Sequence, residues 1–390
     1  MPIKNRFSEL QSEITAWRRD LHENPELLYD THRTAATVAA KLRAFGCDEV
    51  VEGIGRTGVV GVIKGRTNTR NHVVGLRADM DALPILEATG LAYASKTPGK
   101  MHACGHDGHT AMLLGAAKYL SETRNFDGSV AVVFQPAEEG GAGGKAMVDD
   151  GLIPRFGIKE IYGMHNSPGM AVGQFSIKPG PFYAATDNFI LHLSGKGGHA
   201  AYPHRTVDTT VMAAQIVMTL QTVVSRNTDP LESIVLSITS LRTESEAFNV
   251  IPERVEMKGT IRSFDAAMRK MAEERLRSIV NNTAEAFGGS VEITWRPGYP
   301  SMVNAEQETT YAAAVARKIA GPDAVDTDCP AIMGGEDFAY MLQACPGAYI
   351  QIGNGDTAEV HHPEYNFNDD AIPYGASYWA ELVETRMPAP

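Results

Sequence analysis

The sequence predicts an α/β protein interrupted by a smaller α+β insertion, and three observations carry that expectation. Short apolar runs alternate with helical periods at both ends of the chain. The stretch 186–296 follows its own order, β-α-β-β-α-β, which is the split, ferredoxin-like arrangement. The length of 390 residues also exceeds the usual size of one compact core. The expected layout is a first domain built from 1–185 and 297–390, with 186–296 inserted into it as a second domain.

Taken in order, Ser8 with Gln11 three residues on reads as a helix start, and Leu10, Ile14, Trp17 and Leu21 share one face. A second helix is expected over 33–45, with Gly46 as its stop. Strands follow at 58–63 and 73–76, then a helix at 110–120 and a strand at 130–134. The insertion reads as strand 189–193, helix 207–223, strands 234–241 and 255–264, helix 268–287 and strand 291–295. Arg296-Pro297-Gly298 is a turn-forming crossing point. A helix at 308–319, a strand at 348–352 and a final helix from 371 complete the first domain.

Composition narrows the function. With 47 acidic against 35 basic side chains, a net charge of -12 and no Lys/Arg cluster, the chain lacks the positive footprint that nucleic acid requires. No apolar run approaches the ~18 residues of a membrane span, and Met1-Pro2-Ile3-Lys4-Asn5-Arg6 leads into an amphipathic pattern rather than a secretory stretch. A cytoplasmic protein is expected. Cys47, Cys104, Cys329 and Cys345 are scattered, so a special cysteine is a ligand or nucleophile rather than part of a disulfide framework.

Chemistry concentrates in a few windows. Met101-His102-Ala103-Cys104-Gly105-His106-Asp107-Gly108-His109 combines a thiol, imidazoles and glycines that let the backbone bend around something small, and a divalent metal is the natural candidate. The plainer reading is a turn whose histidines cap the next helix. Phe134-Gln135-Pro136-Ala137-Glu138-Glu139-Gly140-Gly141 delivers adjacent carboxylates from an apolar strand. Beside a cation one can bind while its neighbour faces the reacting water; otherwise they form a solvated acidic turn. His165, ending the run Tyr162-Gly163-Met164, means little alone.

Two nucleotide signals fail. The glycines before Lys145 lack the spacing and the Ser/Thr of a P-loop, since Glu139 and Ala146 stand there. Ser194-Gly195-Lys196-Gly197-Gly198-His199-Ala200 loosely matches a dinucleotide fingerprint, but no helix begins before Pro203. That loop either presents His199 to a ligand or leaves it without a task.

Together these residues resemble the metallopeptidase family of aminoacylases, carboxypeptidase G, hippurate hydrolases and plant auxin-conjugate amidohydrolases. The resemblance spans essentially the whole chain. It rests on Arg77-Ala78-Asp79-Met80-Asp81-Ala82-Leu83-Pro84, the 102–109 window, Glu138-Glu139 and Gly334-Gly335-Glu336-Asp337-Phe338. The Cys104-x-His106 pair is similar to the hippurate and auxin-conjugate branch. Where many members have a metal histidine this chain has Asp79, so none is transferred there, and Asp81 is expected to orient a ligand imidazole.

The resemblance implies a zinc-peptidase-like α/β catalytic domain with a ferredoxin-like lid, and two divalent ions (zinc, manganese, nickel or cobalt). Their ligands would be Cys104, His106, Glu139, His165 and His361, the last taken over His362 because His-Ser-Pro is common there. Glu138 becomes general base, His199 an oxyanion contact from a partner chain, and Asn249 and Arg262 the substrate-carboxylate contacts. It further implies hydrolysis of the amide bond of small N-acyl amino acids by a homodimer or higher homo-oligomer joined through the lid. The alternatives are a dipeptidase or carboxypeptidase of the same family, a Cys104 nucleophile, and a non-catalytic metal-binding relative.

Overall fold

The computed structural model describes residues 4–390; Met1-Pro2-Ile3, part of the segment read for a leader, lie outside the described residues. The chain forms two compact units, one of Met1–Gly180, Val303–Pro330 and Asp337–Pro390, the other of Pro181–Met302 and Ala331–Glu336.

The first unit begins with α1 (Asn5–Glu23), α2 (His32–Phe45), β1 (Glu49–Ile54), β2 (Gly58–Lys64), β3 (Val73–Asp79), α3 (His106–Thr123) and β4 (Ser129–Gln135). Three short helices follow, α4 (Glu138–Gly141), α5 (Gly143–Asp149) and α6 (Leu152–Phe156), then β5 (Glu160–Pro168) and β6 (Phe175–Ser176). After β7 (Gly180–Tyr183) the second unit contains β8 (Ala185–Ser194), β9 (Gly198–His199), α7 (Thr209–Thr222), β10 (Ile234–Thr243), β11 (Val250–Ile251), β12 (Arg254–Ser263), α8 (Ala266–Ala286) and β13 (Ser290–Pro297). Past β14 (Met302–Asn304) come α9 (Glu306–Ala320), β15 (Val325–Asp326), α10 (Ala339–Ala344), β16 (Gly347–Gly355) and α11 (Ile372–Arg386).

The first unit is organised by an eight-stranded sheet in the order β1-β2-β4-β3-β5-β16-β6-β15. Its centre, β4-β3-β5-β16, is parallel. Strands of that kind are covered on both faces, which is why β4, Ser-Val-Ala-Val-Val-Phe-Gln, is buried at every position. Phe7, Leu10 and Ile14 of α1, Val38 and Leu42 of α2, Leu113 and Leu114 of α3 and Trp379 of α11 share one core with the sheet. Each such side chain contributes roughly 1.5–3 kcal/mol on burial.

One start signal was misleading. The first helix opens at Asn5 after Lys4, and Ser8 lies inside it, making no cap. Tertiary contact overrides the local signal: Phe7 is fully buried, the Lys4 N–H donates to Ser377 Oγ at 3.2 Å, and its Nζ meets Glu384 at 2.7 Å. The second helix does end at Gly46, which adopts φ 83°.

The second unit holds a four-stranded antiparallel sheet, β10-β12-β8-β13, with α7 and α8 packed on it. Burial alternates along β8, so Phe189, Leu191 and Leu193 face the helices while Asn188 and His192 face away. Asp208 and Asp265 cap the two helices by accepting N–H groups of their first turns. This is the ferredoxin-like order expected from the sequence. No helix among the described residues is long and apolar enough to cross a membrane.

Candidate metal centre

The C-terminal ends of the central parallel strands all deliver polar side chains to one place, where α/β sheets characteristically bind ligands. β3 is followed by Asp81, β4 by Glu138 and Glu139, and β16 by His361, while His165 lies toward the end of β5. Cys104 and His106 come from the turn that starts α3. Gly105 permits that turn, with φ 92°, and a Cβ there would lie 2.3 Å from Asn166 Nδ2.

Backbone carbonyls set the imidazoles. His106 Nδ1–H donates to the Asp81 carbonyl at 2.8 Å, and His165 Nδ1–H donates to the Asn166 carbonyl at 2.6 Å. In both rings Nε2 is left as the nitrogen that can offer a lone pair once it carries no proton, the arrangement of metal-binding histidines. Asp81 thus orients His106 chiefly through its main chain, its carboxylate lying 3.5 Å from Nδ1. That carboxylate instead accepts the N–H groups of Glu138, at 2.9 Å, and Glu139, at 3.1 Å. His361 adopts φ 68° and its N–H donates to the Ala103 carbonyl at 2.7 Å, which brings its ring to Glu139, Nε2 to Oε1 3.3 Å. His362 is exposed, and its ring accepts the N–H of Glu364.

The donor atoms converge. Cys104, His106 and His165 form one group whose ligand atoms lie within 4.8 Å of one another; Cys104, Glu139 and His361 form a second, and His106, Glu138 and Glu139 a third. Cys104 Sγ is 3.3 Å from His165 Nε2. His106 Nε2 and Glu139 Oε1, 4.0 Å apart, are buried without a hydrogen-bond partner. Buried polar atoms rarely stay unsatisfied, so these two mark where a further atom belongs.

The charges agree. Burial disfavours a proton on His106, but Asp79, then Asp81 and Glu139, outweigh it and push its pKa up to about 10. Burial raises the Cys104 thiol, and Glu139, Glu138 and Asp79 raise it further. Burial opposes the charge on Glu139, yet His361 and His106 hold it below the usual carboxylate range. Burial and the neighbouring His109 lower His165 to about 3. Protons on His106 and Cys104 therefore offset a surplus of carboxylate charge, and a divalent cation supplies the same compensation once they leave. The residues fit a dimetal centre.

A further layer had no role assigned in the sequence. His109 Nδ1–H donates to Asp79 Oδ1 at 2.7 Å while its Nε2 accepts the Asn166 N–H at 3.0 Å. Asn166 Nδ2 donates to the Cys104 carbonyl at 2.6 Å, and Tyr365 OH donates to Asn166 Oδ1 at 2.7 Å. His102, though buried, joins none of the donor groups. The only sequence signal for this layer was adjacency, His109 and Asn166 standing beside predicted ligands.

The remaining predicted residues lie in the second unit. β9 pairs with β11 in a two-stranded ribbon that sets His199 opposite Val250, next to Asn249. His199 is exposed and its Nδ1 accepts the Ala201 N–H at 3.1 Å. Arg262 is half-buried near the far end of β12, bonded to Thr260 Oγ1 and to the Ile261 carbonyl. His199 and Asn249 are thus brought together, and Arg262 is not brought to them.

Residues 75–385 match the family model of peptidase family M20/M25/M40. The chain belongs to that family. As an M20 member with this ligand cluster it is a metal-dependent hydrolase. It is 40% identical over 375 residues to a hippurate hydrolase of Campylobacter jejuni, covering 96% of this chain and 97% of that one. It is 39% identical to an N-acetylcysteine deacetylase of Bacillus subtilis, with 94% of each chain covered. Among solved structures it is similar to the YXEP protein of Bacillus subtilis, a dinuclear metal-binding peptidase of the M20 family, with TM-score 0.84 and 33% identity over 98% of this chain and 100% of that one.

Proposed function

We propose that this M20 member is an amidohydrolase of small N-acyl amino acids, hippurate-like or related, in which residues 1–185 and 297–390 carry the catalysis and 186–296 form a lid. The observation that carries this is a pair of buried atoms without a hydrogen-bond partner, His106 Nε2 and Glu139 Oε1, with Glu138 beside them. Hydrolysis in a hippurate hydrolase and deacetylation in an N-acetylcysteine deacetylase both concern an acyl group on an amino acid.

In this reading Cys104, His106, Glu139, His165 and His361 hold two divalent cations that, when bound, acidify the attacking water and polarise the amide carbonyl. Glu138, held by its N–H on Asp81, accepts a proton from that water and returns it to the departing nitrogen. A C–O bond forms, the C–N bond breaks, and a carboxylate and a free amino acid leave. Cys104 acts as ligand rather than nucleophile, since burial and carboxylates oppose a free thiolate. A cytoplasmic setting suits a ligand thiol that must stay reduced. The donor set accepts zinc, manganese, nickel or cobalt.

Asn249 and Arg262 bind the substrate carboxylate, and His199 steadies the developing oxyanion. β12 rises by about 3.3 Å per residue, which puts Arg262 roughly 25 Å along the strand from its start beside the ribbon of His199 and Asn249. One small substrate meets all three only if two copies of the chain contribute. A homodimer through the lid meets that need: β10 is an edge strand, and Val211 and Met218 are exposed on α7.

The test is hydrolysis by protein reconstituted with each metal against hippurate, acetylated amino acids, indole-acetyl conjugates and dipeptides. Release of free amino acid from the acylated compounds, abolished in Glu138→Ala with metal content retained, is the expected result. Metal-loaded protein inert on the panel would overturn the reading. Mixing Glu138→Ala with His199→Ala chains restores activity if each site draws on two copies.

A further inference from the structure

The glycines that fail as a phosphate loop do something else. The turn bearing Glu138 and Glu139 is bracketed by two non-glycine residues in left-handed backbone, Ala137 at φ 54° and Ala142 at φ 55°. Such conformations cost of order 1–3 kcal/mol each and persist only where surrounding contacts enforce them. On the entry side Asp81 grips the N–H groups of both glutamates. On the exit side the grip belongs to Asp337, fully buried, whose Oδ2 accepts the Gly144 N–H at 2.7 Å. Its Oδ1 accepts Gln135 Nε2 at 2.7 Å and Arg77 Nη2 at 3.2 Å. Arg77 is itself fixed, with Nε donating to Gln135 Oε1 at 2.8 Å and Nη1 to Asp79 Oδ2 at 2.8 Å. Residue 144 must be glycine, because a Cβ would lie 2.8 Å from the Asp337 carbonyl oxygen and 3.2 Å from its Cγ.

We propose that Asp337, braced by Arg77 and Gln135, is a positioning residue that latches the exit of the Glu138–Glu139 turn and so fixes where the Glu138 carboxylate meets the reacting water. This rests on Glu138 being the proton carrier. Asp337 acts on the reacting water through Glu138, whose carboxylate has an oxygen within 4.8 Å of one of its own. Both of its oxygens accept from donors, so Asn at 337 sets an NH2 group against one donor whichever way it turns. Ala at 144 opens the same latch from the other side and leaves the Arg77–Asp337 ion pair in place.

The experiment compares Asp337→Asn, Gly144→Ala, their double variant and Glu138→Ala, each as metal-reconstituted full chain with hippurate as substrate, reading kcat, KM, metal per chain and Tm. Either single change is expected to lower kcat roughly 10- to 100-fold, the range for misplacing a catalytic group by about 1 Å. KM and metal content stay near those of the parent, and the double variant falls no further than the worse single one, because both open one latch. The latch is overturned if Glu138→Ala is inactive while Asp337→Asn and Gly144→Ala turn over at the parent rate, whatever their Tm. It is equally overturned if their loss of activity tracks a loss of bound metal. Should Asp337→Asn fail to fold, Gly144→Ala decides alone. Parent-like activity in Glu138→Ala would remove the proton-carrier reading itself, a separate result.

Discussion

Strand β5 carries a buried acidic residue at one end and a candidate ligand toward the other, and the two surroundings differ in kind. At its start Glu160 is satisfied on every side: His72 Nε2 at 2.8 Å, Tyr162 OH at 2.7 Å and Arg386 Nε at 3.0 and 3.1 Å. Burial opposes its charge, but those donors hold its carboxyl below the usual range. Toward its end, His165 joins a cluster in which His106 Nε2 and Glu139 Oε1 have no hydrogen-bond partner. Both places are buried and charged, so burial and charge do not mark a site. Ligand-type side chains converging within 4.8 Å, two of their atoms without a hydrogen-bond partner, do. The Glu160 cluster is a fastening between β5 and α11; the other end needs a cation to be complete.

The largest effects fall at the carboxyl end of the strands, on turnover first and then on metal affinity. Glu138→Ala should lower kcat by about 10²–10⁴-fold, the usual contribution of a proton-transfer group, with metal content by elemental analysis unchanged. Asn166→Ala is next. It removes a donor from the Cys104 carbonyl and the acceptor of Tyr365 OH. Metal affinity should drop about 10- to 100-fold, as for other groups that orient ligands, while kcat at saturating metal stays within a few-fold. Competition with a chromogenic chelator measures this, and unaltered affinity would show that the layer under the ligands is only packing. Metal uptake should also release protons. His106, with its pKa up to about 10, and the raised Cys104 thiol must both deprotonate to bind. Affinity therefore rises with pH over the range below about 10, and calorimetry in buffers of different ionisation enthalpy counts the protons.

The same contrast explains what could be read from the sequence. The parallel strands announced themselves as apolar runs because both their faces are covered, and candidate ligands could be proposed because Cys104, His106 and Glu139 carry their donor atoms on side chains in compact motifs. Other roles were fainter. Asp81 was named as an orienting residue only through the family resemblance, and Asn166 not at all, because both orient imidazoles through backbone carbonyls, which every residue possesses. Asp337 meets Gly144 across nearly two hundred positions, a pairing that spacing does not encode. Ser8 misled because a cap pattern is local, whereas the burial of Phe7 decides where α1 begins. The exposed edge strand β1, Glu-Val-Val-Glu-Gly-Ile, lacks the alternation that would have revealed it.

The smallest effect belongs to the satisfied end and separates fastening from function. Glu160→Gln keeps the shape but removes the charge that Arg386 meets, costing about 1.5–3 kcal/mol, the worth of hydrogen bonds to a charged group. Turnover and metal content should not change. A carboxyl depressed in the folded state stabilises above its unfolded pKa, here the ordinary 4.5, and that contribution is lost as pH falls through the folded value. The gap in urea midpoint between parent and Glu160→Gln is therefore full at neutral pH and closes below about pH 4.5. A gap that persists undiminished in acid would mean the cluster holds β5 to α11 by packing rather than by charge. A loss of kcat without loss of stability would erase the distinction between the two ends of the strand.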